Sequence, residues 1–119
     1  MRVLIAGGGT GGHLFPGIAV AEEVISRGGE VLFVGTRRGI EARVVPALDM
    51  RLETIRVRGL AGVSWLRRMR FLIDGPVAAA QTIRILRRYR PDVVVGVGGY
   101  SSGPVVMLAA LGRGPTAIL

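Results

Sequence analysis

Short apolar runs that end in glycine alternate along this chain with stretches of helical periodicity. Val3-Leu4-Ile5-Ala6 is apolar throughout and stops at glycines, the pattern of a parallel strand buried on both faces. A helix is expected next, with Pro16 near its first turn, Ile18, Ala21, Val24 and Ile25 on one face, and Gly28 as its stop. Val31 to Val34 is the second strand. A second helix spans about Ile40 to Leu48, and a third strand about Arg51 to Val57, with Leu52, Ile55 and Val57 in imperfect alternation.

From Ser64 the pattern predicts a helix broken near Gly75-Pro76 and resumed to Tyr89, with Ile83 and Leu86 inward and Arg84, Arg87 and Arg88 outward. Val93-Val94-Val95 is the fourth strand, Ser101 to Leu111 a further helix, and Thr116 to Leu119 the start of a fifth strand. Alternation of strand and helix implies a parallel sheet with right-handed crossovers, an α/β, Rossmann-like unit. Because the chain stops within its fifth strand, a partial domain is expected.

The length of 119 residues suits one domain of roughly 100–150 residues. Val93 to Gly112 carries no charge, but Gly96, Gly98, Gly99, Gly103 and Pro104 interrupt it, so it reads as strand, loop and helix rather than a membrane span. The apolar start is too short for a signal peptide, which points to a cytoplasmic location. With no cysteine, disulfide and thiol chemistry are excluded. The formal charge of +8 comes from 16 basic residues, all arginine. Their planar forks suit phosphates and diphosphates, whether on nucleic acid, an anionic membrane or a small molecule.

Chemistry concentrates in two glycine turns. Gly7-Gly8-Gly9-Thr10-Gly11-Gly12-His13 lies between the first strand and first helix, where backbone amides at a helix start attract an anion. The spacing of Gly7, Gly9 and Gly12 also satisfies the dinucleotide fingerprint. The second strand ends in Val34-Gly35-Thr36-Arg37-Arg38, without the acidic residue that holds an adenine ribose, although two arginines there suit a 2′-phosphate. An NADP-binding oxidoreductase domain is therefore the alternative reading.

The second turn, Gly96 to Pro104 with Gly98, Gly99, Tyr100 and Ser101 at its centre, follows the fourth strand in the same position. Parallel strands end on one side of the sheet, so the two turns border one crevice. Tight strand-helix packing is the other explanation for these glycines. His13, the only histidine, sits at the mouth of the first turn. A helix N-terminus disfavours imidazolium and leaves a neutral ring able to accept a proton; a purely structural histidine is the competing account. Glu41 is within reach of the crevice on the acceptor side, though a solvated glutamate at a helix start is the preferred reading.

One further segment, Val63 to Ile73, holds the only tryptophan. On a helix Trp65, Leu66, Met69, Leu72 and Ile73 share a face, and Arg67, Arg68 and Arg70 lie opposite or flank it. Such a basic amphipathic helix can lie in an anionic membrane interface or tuck onto the domain core. Nucleic acid is not expected as a partner, because the arginines are scattered and lack interleaved aromatic residues for stacking.

Gly8-Gly9-Thr10-Gly11-Gly12-His13 with Pro16, Gly35-Thr36 and Glu41, then Pro91-Asp92-Val93-Val94 leading into Gly98-Gly99-Tyr100 and Gly103-Pro104, together resemble the MurG family of peptidoglycan glycosyltransferases. The resemblance spans nearly the whole chain. It implies the N-terminal, acceptor-binding domain of a two-domain, metal- and cofactor-independent GT-B fold, with the nucleotide-sugar domain absent from residues 1–119. The implied reaction is inverting transfer of N-acetylglucosamine from UDP-N-acetylglucosamine to undecaprenyl-diphosphate-linked N-acetylmuramoyl-pentapeptide at the cytoplasmic face of the bacterial inner membrane. His13 is then the candidate base, Thr10, Gly11 and Gly12 line the donor sugar and acceptor diphosphate, and the Trp65 to Ile73 segment supplies a basic and apolar patch for peripheral membrane contact.

Overall fold

The computed structural model describes residues 1–9, 11–56, 65–99, 102–112 and 114–119, with side chains of the third helix described from residue 75 onward. The elements run β1 (Arg2–Gly7), α1 (Gly11–Ser26), β2 (Glu30–Gly35), α2 (Glu41–Ala47), β3 (Arg51–Thr54), α3 (Trp65–Tyr89), β4 (Val93–Gly98), α4 (Ser102–Leu111) and β5 (Thr116–Ile118). The five strands form one sheet in the order β3-β2-β1-β4-β5, and every pairing is parallel. The expected α/β, Rossmann-like architecture is therefore present.

The apolar runs of the strands follow from burial on both faces. Val3 and Ile5 of β1 join Val31 and Phe33 of β2 and Val95 and Val97 of β4 beneath Leu14, Ile18 and Ala21 of α1 and Val45 of α2. The alternate residues Leu4, Ala6, Leu32, Val34 and Val94 meet Ile85 and Tyr89 of α3 and Val105 and Ala109 of α4 on the other face. The result is a three-layer sandwich in which β1, flanked by β2 and β4, is the most enclosed strand.

Several boundaries differ from the sequence expectation. Helix α1 starts at Gly11, directly off the glycine turn, and Pro16 lies inside it. Its missing N–H costs one helical bond, while fully buried Leu14 fastens this first turn to the sheet. Of the face expected on α1, Ile18 and Ala21 are buried, but Ile25 is 47% exposed and Leu14 takes its place in the core. At the far end Gly28 has φ +82°, and Gly29 N–H donates to Val24 O at 2.9 Å, closing the helix as foreseen.

Helix α3 is continuous through Gly75-Pro76 rather than broken there. A proline clashes with the Cβ and amide of the residue before it, and Gly75 has no Cβ. The inward face near its end is Ala78, Thr82, Ile85 and Tyr89, whereas Ile83 is 38% exposed. Strand β3 ends at Thr54 because its partner β2 ends at Gly35; Ile55 N–H makes one further bond to Gly35 O at 2.9 Å. Val57, the expected end of this strand, lies outside the described residues.

Candidate functional site

The site is built where β1 and β4 end side by side. Their register shifts at Ala6/Gly7, so that Gly7 meets Gly98, and Gly8 N–H donates to Gly98 O at 3.3 Å. The two backbones approach so closely that a Cβ on Gly99 would run into the carbonyl of Gly8. Both glycine turns therefore border one seam at the C-terminal edge of the sheet, as the parallel topology requires, and at the point where strand order reverses.

Helix α1 rises from the first turn and carries Gly11, Gly12 and His13 as its opening residues. His13 is exposed, and its ring lies over the second turn: a Cβ on Gly98 would stand 2.5 Å from His13 Nδ1. Gly98 has φ +100°, so glycine is required there by conformation and by space alike. The Phe15 ring stands over Gly11, with Cε2 2.9 Å from a Cβ placed there. The first amides of a helix have no intrahelical acceptor, so Gly11, Gly12 and His13 present N–H groups at the seam.

Glu41 is not the solvated side chain expected at a helix start. It is fully buried and reaches back from α2 beneath the first glycine turn. Its Oε2 accepts the Gly9 N–H at 2.7 Å, and its Oε1 accepts the Thr36 N–H at 2.7 Å and the Thr36 hydroxyl at 3.0 Å. The same hydroxyl accepts the Gly39 N–H at 3.2 Å. Burial pushes this carboxyl up, but the N–H groups of Gly9, Thr36 and Glu41 itself, with the Thr36 hydroxyl, outweigh it and hold the group below its ordinary value. A carboxylate with no exposed surface cannot contact an acceptor, which corrects the acceptor-side placement of Glu41.

Of the residues singled out from sequence, the fold sets His13 against Gly98 and Gly99 against the first glycine turn at Gly8, while Gly11 and Gly12 open the helix that carries His13. Thr10, Tyr100 and Ser101 lie outside the described residues. Trp65, Leu66, Arg67, Arg68, Met69, Arg70, Leu72 and Ile73 lie on the helical backbone of α3, but their side chains are outside the described residues. Sequence reasoning missed Thr36 as the partner of Glu41, and Gly35 and Gly39 as the residues that make room for it. The available signal was a carboxylate five positions after a Gly-Thr turn, with another glycine between them.

Shape alone does not find this seam. An open groove among the described residues runs along α3, lined by Ala80, Ile83, Arg84, Arg87 and Arg88. That helix ends at the opposite edge of the sheet, where the Tyr89 carbonyl accepts an Arg2 side-chain N–H at 3.1 Å. Among the described residues no group of three or more His, Asp or Glu side chains is arranged to hold a metal ion, and no helix is long and apolar enough to cross a membrane.

Residues 3–118 match the glycosyltransferase family 28 N-terminal domain. The chain belongs to that family. Family 28 relatives include the "UDP-N-acetylglucosamine--N-acetylmuramyl-(pentapeptide) pyrophosphoryl-undecaprenol N-acetylglucosamine transferase" of Anaeromyxobacter sp. (strain Fw109-5), 61% identical over 99% of this chain and 32% of its own length. The transferase of the same name from Myxococcus xanthus (strain DK1622) is also 61% identical, over 99% of this chain and 31% of its own length. Among solved structures, Acinetobacter baumannii MurG superposes with a TM-score of 0.84 at 30% identity, covering 98% of this chain and 34% of that one. The glycosyltransferase SnogD from Streptomyces nogalater shares the fold at a TM-score of 0.66 and 21% identity, over 100% of this chain and 33% of its own. This family 28 chain thus spans about a third of the length of the relatives it matches. The oxidoreductase alternative finds no support among them, and the Gly9 amide of the dinucleotide fingerprint is already taken by Glu41.

Proposed function

We propose that this chain provides the acceptor-binding half of an inverting hexosyltransferase of peptidoglycan synthesis, which moves N-acetylglucosamine from UDP-N-acetylglucosamine to undecaprenyl-diphosphate-linked N-acetylmuramoyl-pentapeptide. The observation that carries the reading is the apposition of two glycine turns with His13 at their seam: Gly8 bonds to Gly98 and the imidazole lies against Gly98. The sequence identity to transferases named for this reaction supports the choice of substrates.

In this reading the acceptor 4-hydroxyl approaches His13, which takes its proton as the oxygen bonds to the anomeric carbon. The bond from that carbon to UDP breaks, with inversion, and UDP departs with the electron pair. General-base help of this kind contributes about 10² to 10⁴ in rate. Gly11 and Gly12 line the donor sugar and acceptor diphosphate, and Gly98 and Gly99 border the opposite side. No cofactor or metal enters the reaction. The Trp65 to Ile73 segment is proposed to rest on the anionic cytoplasmic face of the inner membrane, as a peripheral contact.

The test is glycosyl transfer to a short-chain analogue of the lipid-linked acceptor by this chain joined to the remaining length of its Myxococcus xanthus relative. Turnover that falls about 10²- to 10⁴-fold in His13→Ala supports the reading. A folded extended chain without turnover rejects it, and a loss below tenfold in the variant removes His13 as the base.

A further inference from the structure

Glu41 is the only fully buried ionisable carboxylate among the described residues, and the transfer chemistry above leaves it unused. Burying a carboxylate without partners is costly, yet here both oxygens are supplied. Gly9 N–H reaches one at 2.7 Å, and Thr36 reaches the other with its N–H at 2.7 Å and its hydroxyl at 3.0 Å. These donors belong to different turns, one after β1 and one after β2. A single carboxylate thereby ties the two turns together.

The surrounding residue types are fitted to that side chain. A Cβ on Gly8, Gly35 or Gly39 would collide with Glu41 in each case, so three glycines form the cage that admits it. The clamp also lies one residue from the seam. Gly9 is held by Glu41, Gly8 is bonded to Gly98 O at 3.3 Å, and α1 with His13 begins at Gly11. In a glycine turn, an amide such as that of Gly9 is ordinarily available to an anionic ligand. Here an anion of the protein's own holds it.

We propose that Glu41 is a positioning residue: its buried carboxylate locks the β1–α1 glycine turn to the β2–α2 turn and so holds His13 and the seam in the geometry needed for transfer. The catalytic consequence rests on the transfer reading given above, whereas the locking of the turn does not. Its lowered pKa agrees with a carboxylate that stays charged under these donors.

Two substitutions in the extended chain separate positioning from stability. Glu41→Gln replaces one acceptor oxygen by a donor nitrogen that faces an N–H. Gly39→Ala leaves the carboxylate intact but displaces it from behind, through a residue that is neither in the glycine loop nor at the seam. Both are expected to lower kcat, per folded molecule, by about 10- to 100-fold, as misplacement on the order of 1 Å can, with each KM changed by less than about threefold. Amide exchange read by mass spectrometry is expected to speed up at Gly8 to Gly12 and to stay unchanged at Val93 to Val97. Wild-type exchange at Gly8 to Gly12 together with kcat within twofold of wild type, in either folded variant, overturns the proposal. If Glu41→Gln does not fold, Gly39→Ala decides. If the wild-type extended chain shows no turnover, the transfer reading fails by itself and exchange at Gly8 to Gly12 alone judges the clamp.

Discussion

Gly17 is the position at which one added methyl and three added methyls should part company. It lies in the middle of α1, buried against the sheet, where a Cβ would stand 3.2 Å from Ile5 Cγ2, 3.5 Å from Phe33 Cε1 and 3.5 Å from Val97 Cγ1. In Gly17→Ala the one tight contact is with a side-chain methyl that can give slightly, and alanine gains about 0.5–1 kcal/mol of helix preference over glycine. The net effect is expected within about 1 kcal/mol of zero. Gly17→Val adds two further carbons where Ile5, Phe33 and Val97 already fill the space, and overpacking of this kind costs about 1–3 kcal/mol.

With 119 residues and about 2.1 cal/mol/K of unfolding entropy per residue, 1 kcal/mol corresponds to roughly 4 °C in Tm. The valine variant should therefore melt about 4–12 °C lower, and the alanine variant within about 4 °C of wild type, by circular dichroism at 222 nm. His13 stands one helical turn before Gly17 and faces the same strand, β4. Lifting α1 at Gly17 should thus also lower turnover of the extended chain more than it lowers the folded fraction. A valine variant that melts with the alanine variant and keeps wild-type turnover would refute the account of how α1 seats on the sheet.

Three other outcomes follow from the same geometry. Phe33→Ala removes a ring 1% exposed between α1 and the sheet, and the loss in urea unfolding is expected at about 3–5 kcal/mol. Gly98→Ala forces a side chain onto φ +100° and against His13 Nδ1; destabilisation of about 1–3 kcal/mol and a change in the His13 ring resonances by NMR should appear together. Glu41 gives the chain an acid-side sensitivity. Because its folded-state pKa lies below the ordinary value of 4.5, the unfolded chain binds the proton first as pH falls. Its contribution is full above that ordinary value and is lost as pH drops through the folded one. Urea midpoints measured downward from pH 6 should fall less steeply for Glu41→Gln than for wild type.

The strands were legible because a sheet covered on both faces asks for unbroken apolar runs, and Val3 to Ala6, Val31 to Val34 and Val93 to Val95 are such runs. The two glycine turns were legible because parallel topology puts the ends of β1 and β4 on one side whatever the details between them. What sequence did not reveal depends on neighbours distant along the chain. The choice of Ile85 over Ile83 for the core is made by the sheet and α4 rather than by periodicity within α3. The start of α1 at Gly11 contradicts the poor helix preference of glycine, and is fixed by Leu14 docking beneath it. The burial of Glu41 required knowing that the glycines at 8, 35 and 39 converge on one point.

The enclosed position of β1 also sets a timetable for folding. Its contacts with the β4 region reach across a long stretch of chain, as in the 2.7 Å bond from Arg2 N–H to Asp92 Oδ2, two residues separated by 90 positions. At about 5–20 residues per second of synthesis, roughly 5–20 s pass between the two. Once β2 (Glu30–Gly35) has been made, β1 has it for company but presents its other edge unpaired for the rest of that interval, an invitation to mispairing that chaperones commonly shield. The seam between Gly8 and Gly98 is closed by the last residue of β4, so a nascent chain has no trace of the site until its sheet is nearly complete.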